Sequence, residues 1–267
     1  TSPGGLAGQK AALGRSHFGQ SSRGVDAPGR NPAQFRYSLR GFRCERNPEK
    51  PSPESSQVPM TTRSDHPAAG DAGPTPFDDL GVAVSRGEPL SHHTWLGIGG
   101  EATWFCEPID IEALTRVVNR CQERAIPVRV IGGGSNVLVP TAGYRGMVMR
   151  LSAPAFCEIA VERPLIRAGA GAKLVHVVSA AVQAGLAGLE MLVDVPGTVG
   201  GALVGNAGGH GGDIGQRVRE VTVMLADGTV EERSRDRLAF ESRWSNLDDC
   251  IVIGCRLELD EEDPGQL

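Results

Sequence analysis

The chain has 267 residues and a formal net charge of -5, with 36 glycines but aromatic side chains at only 4%. An acidic balance and few rings exclude a surface built to attract polyanions and a stacking platform for single-stranded nucleic acid. Glycine lies well above its usual share of about 7%, which suits a backbone that turns tightly and approaches a ligand closely.

Residues 1–78 read as a disordered or non-native N-terminal extension. Segments such as Pro51-Ser52-Pro53-Glu54-Ser55-Ser56 carry no periodicity and too little apolar surface to offset the entropy of ordering. The chain begins at Thr1, and Met60 is a candidate natural start; the alternative is a basic, Arg-Ser-rich targeting arm. No charged-then-apolar leader and no long apolar run is visible, which points to the cytoplasm and away from a membrane.

From about residue 80 the pattern is regular. Asp110 is placed to cap a helix whose apolar positions Ile111, Leu114, Val117, Val118 and Cys121 share one face, and Pro127 ends it. Val128–Ile131 reads as a strand running into Gly132-Gly133-Gly134-Ser135-Asn136, and Val137–Val139 as another. Further strands are expected at 148–151 and 165–168. Lys173–Ala184 is a second amphipathic helix, stopped by Gly185. Val221–Leu225, Asp227-Gly228 and Thr229-Val230 carry a hairpin signal, and residues 251–259 a last strand. The result is an α+β architecture in two lobes, 79–152 and 153–267.

The six cysteines (Cys44, Cys106, Cys121, Cys157, Cys250, Cys255) form no C-x-x-C pair and sit mostly in apolar stretches. They read as small buried hydrophobes in a reducing compartment, not as a disulfide framework or a zinc site. His92 and His93 have no third ligand in sight, His176 reads as structural, and His210 as a loop residue. No metal is expected.

Two constellations carry chemistry. In the first, three glycines after a strand leave the N–H groups of Gly132, Gly133 and Gly134 free to converge on an anion, with Ser135 and Asn136 adding side-chain donors. The spacing is neither G-x-G-x-x-G nor a Walker A sequence. The second runs from Gly188-Leu189-Glu190 through Pro196, Gly197, Thr198, Gly200, Gly201 and Ala202 to Asn206 and Gly208. A turn at Pro196-Gly197 and small residues after it allow close packing against a flat ligand or another strand. Asn206 sits where a polar side chain can reach inward. Two such loops suggest an extended ligand held at both ends, and a dinucleotide meets that demand.

Three segments together resemble one family. Thr94 to Ala102 is similar to the N-T-x-x-x-G-G-x-A opening of the UDP-N-acetylenolpyruvoylglucosamine reductases. Gly132 to Val139 resembles their flavin pyrophosphate loop, and Gly188 to Gly208 their G-L-E-x-x-x-x-x-P-G-T-V-G-G-A-x-x-x-N-A-G signature. The likeness runs from about residue 85 to 260, and the third segment is the specific one. It implies an FAD-binding domain of the vanillyl-alcohol-oxidase type. It also implies NADPH as hydride source, a UDP-sugar enolpyruvate as small-molecule substrate, and a role in peptidoglycan synthesis, cell-wall biogenesis, cell shape and division. The family's Y-R-x-S motif matches Ser242-Arg243-Trp244-Ser245, which makes Arg243 the candidate stabiliser of the developing enolate; a guanidinium stays charged and offers several donors. Ser242 stands where the family commonly has tyrosine. The family's proton-donating serine and late glutamate belong to a C-terminal substrate domain, and the sequence stops at Leu267 before either. This chain is therefore expected to bind FAD and to turn over substrate poorly. The alternatives are another FAD-dependent oxidase or dehydrogenase of the same fold, and a non-catalytic FAD-binding remnant. Oligomeric state is left open.

Overall fold

The computed structural model describes residues 74–209 and 211–263. The expected extension up to residue 73, Met60 and Cys44 lie outside the described residues, as do His210 and the last four positions.

The first sheet is built from β1 (Val84–Pro89), β2 (Glu101–Cys106), β3 (Val128–Ile131) and β4 (Tyr144–Arg150), in the order β1-β2-β4-β3. β1 and β2 are antiparallel, whereas β4 runs parallel to both β2 and β3. A parallel neighbour needs a crossover, and α1 (Ile111–Glu123) supplies it between β2 and β3. The Asp110 carboxylate accepts from the Ala113 N–H at 2.7 Å and so caps α1. The helix buries Ala113, Leu114, Val117, Val118 and Cys121, the face that periodicity predicts. It ends where Ala125 turns to φ 54° and the Ile126 amide closes back on the Cys121 carbonyl.

The second sheet comprises β5 (Ile159–Glu162), β6 (Leu165–Gly169), β7 (Val218–Met224), β8 (Val230–Ser234) and β9 (Ile251–Glu258). Its order is β8-β7-β9-β6-β5 and every pair is antiparallel. The Asp227-Gly228 turn joins β7 to β8, with Gly228 at φ 79° and the Asp227 carboxylate accepting from the Thr229 amide at 2.9 Å. Three helices belong to this half: a single turn at Pro154–Cys157, α2 (Leu174–Gln183) and the short α3 (Val199–Val204).

One apolar core serves both sheets. The buried face of α1, Met147 and Met149 of β4, Leu174 and Val177 of α2, and Val221, Val223, Cys255 and Leu257 of the second sheet belong to one continuous cluster. The opposite face of the first sheet holds a smaller cluster of Leu90, Ala102, Phe105, Ile131, Val139 and Val148. Cys106, Cys121, Cys250 and Cys255 are buried and unpaired, and burial pushes each thiol up to about 12.

Two details differ from the sequence reading. Periodicity singled out neither β1 nor β2. Val137–Val139, expected as a strand, has no ladder partner. It is a strap: buried Val139 presses on Gly99, where an added Cβ would come within 2.7 Å of the valine Cβ, and the Pro140 carbonyl accepts from both Gly100 and Gly143. Packing on Gly99 and the bonds from the Gly100 and Gly143 amides replace the ladder the apolar run suggested.

Candidate functional site

β3 delivers the chain into the Gly132–Asn136 loop. Gly134 adopts φ 68°, the left-handed region that glycine occupies freely. A side chain there would strike the His93 carbonyl and come within 2.9 Å of the Thr94 Cα, so two backbones lie flush. The Trp95 amide donates to the Gly134 carbonyl at 3.1 Å. Among the described residues, no group accepts from the amides of Gly133, Gly134, Ser135 or Asn136. Successive unsatisfied N–H groups make a concavity suited to an anion.

The second glycine-rich segment meets the first directly. A Cβ on Gly133 would lie 3.1 Å from the Gly197 Cα, one on Gly132 would strike the Thr198 hydroxyl, and the Ser135 hydroxyl donates to the Pro196 carbonyl at 3.2 Å. Gly197 stands at φ 119°. Thr198 caps α3 through a long bond from the Gly201 amide, 3.5 Å. The rest of the segment is fixed from within. The amides of Val199 and Gly200 donate to the carbonyls of Ala172 and Ala170, and Gly200 lies so close to Ala170 that a Cβ would sit 3.0 Å from that residue's own. Ala202 is buried. At the entry, the Glu190 carboxylate accepts from the Gly188 amide at 2.8 and 2.9 Å.

Arg243 occupies the tip of a small hairpin between Phe240–Glu241 and Trp244–Ser245, at φ 61°. This hairpin is tied to the glycine-rich segment in two places. The Ser245 hydroxyl, fully buried, donates to the Val204 carbonyl at 3.0 Å. Asn206, 3% exposed, donates through Nδ2 to the Glu241 carbonyl (2.9 Å) and accepts at Oδ1 from the Gly215 amide (3.1 Å). The structure thus commits the Asn206 side chain to its own backbone and so links α3 to the Arg243 turn. Gly208 pairs with Asp213 in a two-residue hairpin beyond it.

Sequence reasoning passed over the residues behind the first loop. His93 lies between Glu88 and Arg150, 2.9 Å from the first and 3.2 Å from the second, with its ring stacked on Phe105 at 4.4 Å. Arg150 in turn donates to Glu107 at 2.7 Å, and the Ser152 hydroxyl donates to the same carboxylate at 2.6 Å. Partial burial pushes the Glu107 carboxyl up, but the bonds from Ser152 and Arg150 outweigh it and hold the group below its ordinary value. His92, by contrast, is exposed, so the adjacent histidines face different surroundings. The signal that could have found His93 is its position two residues before Trp95 in the segment that embraces Gly134. A separate cleft of about 360 Å³, lined by Gln216, Arg217, Arg219, Arg235, Glu258 and Asp260 among others, contains none of the residues singled out from sequence.

The site is therefore a contact between two glycine-rich loops with a row of open amides at Gly133–Asn136, flanked by the hairpin that carries Arg243. Comparison with known proteins agrees with that geometry. Residues 102–234 match the family model described as an FAD binding domain. The UDP-N-acetylenolpyruvoylglucosamine reductase of Rhodopirellula baltica is 38% identical over 190 residues, covering 71% of this chain and 62% of the relative. Reductase 2 of Symbiobacterium thermophilum is 42% identical over 170 residues, 64% of this chain and 55% of the relative. Among solved structures, the UDP-N-acetylenolpyruvylglucosamine reductase of Thermus caldophilus aligns with TM-score 0.58 and 33% identity over 69% of this chain and 64% of that one. Cholesterol oxidase from Brevibacterium sterolicum aligns with TM-score 0.54 at 19% identity, covering 70% of this chain and 39% of its own, a likeness of fold alone. The chain spans roughly three fifths of the length of the curated relatives it matches, 62% and 55% for the two above.

Proposed function

The chain belongs to the UDP-N-acetylenolpyruvoylglucosamine reductase family, and from that premise we propose that it is the FAD-binding part of an enzyme that uses NADPH to reduce UDP-N-acetylglucosamine enolpyruvate to UDP-N-acetylmuramate. This places it in peptidoglycan precursor synthesis in the cytoplasm; among the described residues no helix is long and apolar enough to cross a membrane. The observation that carries the reading is the flush contact of the Gly132–Asn136 loop with Pro196–Thr198, which leaves a row of amides open beside it.

The residues fit the cofactor. The N–H groups of Gly133, Gly134, Ser135 and Asn136 match the negative oxygens of a pyrophosphate, and no side chain blocks approach at the two glycines. Thr198 and Gly197 brace the loop from the other side. FAD, when bound, supplies the hydride-carrying chemistry that amino-acid side chains lack. The protein's own part is to hold it still, to exclude water, and to stabilise charge on the substrate. Arg243 is suited to the last task, since its guanidinium carries fixed charge and its backbone is anchored through Asn206 and Ser245 to α3. The UDP-sugar and NADPH are the small-molecule partners in this proposal.

The test is the visible spectrum of the purified protein, before and after anaerobic addition of NADPH. A flavin-type absorption that denaturation releases into solution, and that NADPH bleaches, is the expected result. A protein that stays colourless after incubation with FAD overturns the proposal, and flavin retained after denaturation points to a covalently tethered oxidase of the same fold.

A further inference from the structure

We propose that His93 is a positioning residue that sets the Gly132–Asn136 loop for its cofactor, an inference that rests on the FAD reading above. The imidazole is held on three sides. Arg150 can only donate, so its contact with Nδ1 at 3.2 Å requires that nitrogen to accept; the ring proton then sits on Nε2 and donates to the Glu88 carboxylate at 2.9 Å. Phe105 stacks against the ring with planes 23° apart, and the side chain is only 10% exposed.

The main chain of the same residue is what the loop rests on. The His93 carbonyl and the Thr94 Cα fill the space beside Gly134, and the Trp95 amide fastens the Gly134 carbonyl. Arg150 is also the register partner of Ile131, the residue from which the loop departs, and Glu107 and Ser152 hold that guanidinium in place. The network therefore grips the loop at its root through Arg150 and at its crest through His93. Rotating or removing the imidazole lets the carbonyl beneath Gly134 move, and the row of open amides moves with it.

Three substitutions separate the contributions. His93→Phe keeps a ring on Phe105 and removes both polar contacts. His93→Asn keeps an acceptor near the place of Nδ1, and His93→Gln a donor near that of Nε2. Two readouts apply: hydrogen exchange at the Trp95 amide in the flavin-free protein, which is protected only while the loop is docked, and the FAD dissociation constant from flavin fluorescence.

His93→Phe is expected to speed Trp95 exchange and weaken FAD about tenfold, the loss that follows from removing both polar contacts that hold the ring, to Glu88 and to Arg150. His93→Asn is expected to return both readouts to within about threefold of the parent, because the grip on Arg150 survives, whereas His93→Gln does not. Unchanged Trp95 exchange and FAD affinity in His93→Phe overturn the proposal. So does exchange that rises uniformly across the domain with no rescue by asparagine, which is the mark of a merely structural role. Should the phenylalanine variant not fold, equal FAD affinity in the Asn and Gln variants overturns it. If the parent protein binds no FAD yet His93→Phe still frees the Trp95 amide alone, the FAD reading falls while the positioning of the loop stands.

Discussion

The Gly132–Asn136 loop and the Gly197–Gly208 segment are both rich in glycine, three of five residues in the first and five of twelve in the second, yet the structure uses the residue differently in each. In the first, glycine lets the backbone ride against His93 and Gly197 while its amides stay open. In the second, it brings the backbone so near to Ala170 that the amides of Val199 and Gly200 are consumed by internal carbonyls. Glycine density announces a close approach; whether the approaching partner is a ligand or the protein itself depends on where the N–H groups point. In the function proposed above, the first loop holds the cofactor's anion, and the Val199–Gly200 stretch of the second braces it.

The sharpest way to break this contrast is Gly134→Ala. The new Cβ meets both an unfavourable φ of 68° and the His93 carbonyl, so the loop must lift away, and FAD affinity is expected to fall by about 100-fold or more at a stability cost of about 2–4 kcal/mol. Flavin titration and thermal unfolding report the two separately; retained affinity would mean that the amides are not the binding element.

Next in size is Asn206→Ala, which strands the Glu241 carbonyl and the buried Gly215 amide. A loss of about 2–3 kcal/mol is expected, with the Arg243 hairpin loosened and FAD affinity per folded molecule nearly unchanged. Equal losses of stability and flavin affinity would show that Asn206 touches the cofactor after all.

Thr198→Val tests the seam between the two loops. It removes the cap of α3 and keeps the shape, so about 0.5–1 kcal/mol of stability should go, measured by denaturant unfolding, together with a few-fold weakening of FAD. The smallest effect is expected far from either loop. The hydrogen bonds from Arg120 hold Asp79 at about 2 instead of 3.8. A depressed carboxylate adds stability that is fully present above the unfolded value and is lost as pH falls through the folded one. Acid titration should therefore show a small fall between about pH 4 and 2 that Asp79→Asn abolishes, with FAD binding untouched.

How far the sequence led can be judged residue by residue. Asp110 as a cap, the inward face of α1, the strand into Gly132 and the Asp227-Gly228 turn were legible because each depends on neighbours a few positions away. The two glycine-rich loops could be named, but not that they touch each other, since Ser135 and Pro196 lie 61 residues apart. Asn206 pointed inward as expected, toward backbone from residues 215 and 241 that no local pattern connects to it. Val137–Val139 has the composition of a strand and lacks only a partner. His93 was hidden for the same reason: Glu88 is near in sequence, but Arg150 and Phe105 reach it only through the sheet.

The shared core gives the molecule a built-in chemical clock. Thiolate is the form that reacts with alkylating reagents, and the buried thiols near 12 offer almost none of it while the fold is closed. Cys106 and Cys121 belong to the first sheet and its helix, Cys250 and Cys255 to the second half. Since one apolar cluster joins all four, a slow labelling experiment should count them as a single event, following a faster reaction at the less buried Cys157. The rate of that joint step is the rate at which the two halves part company.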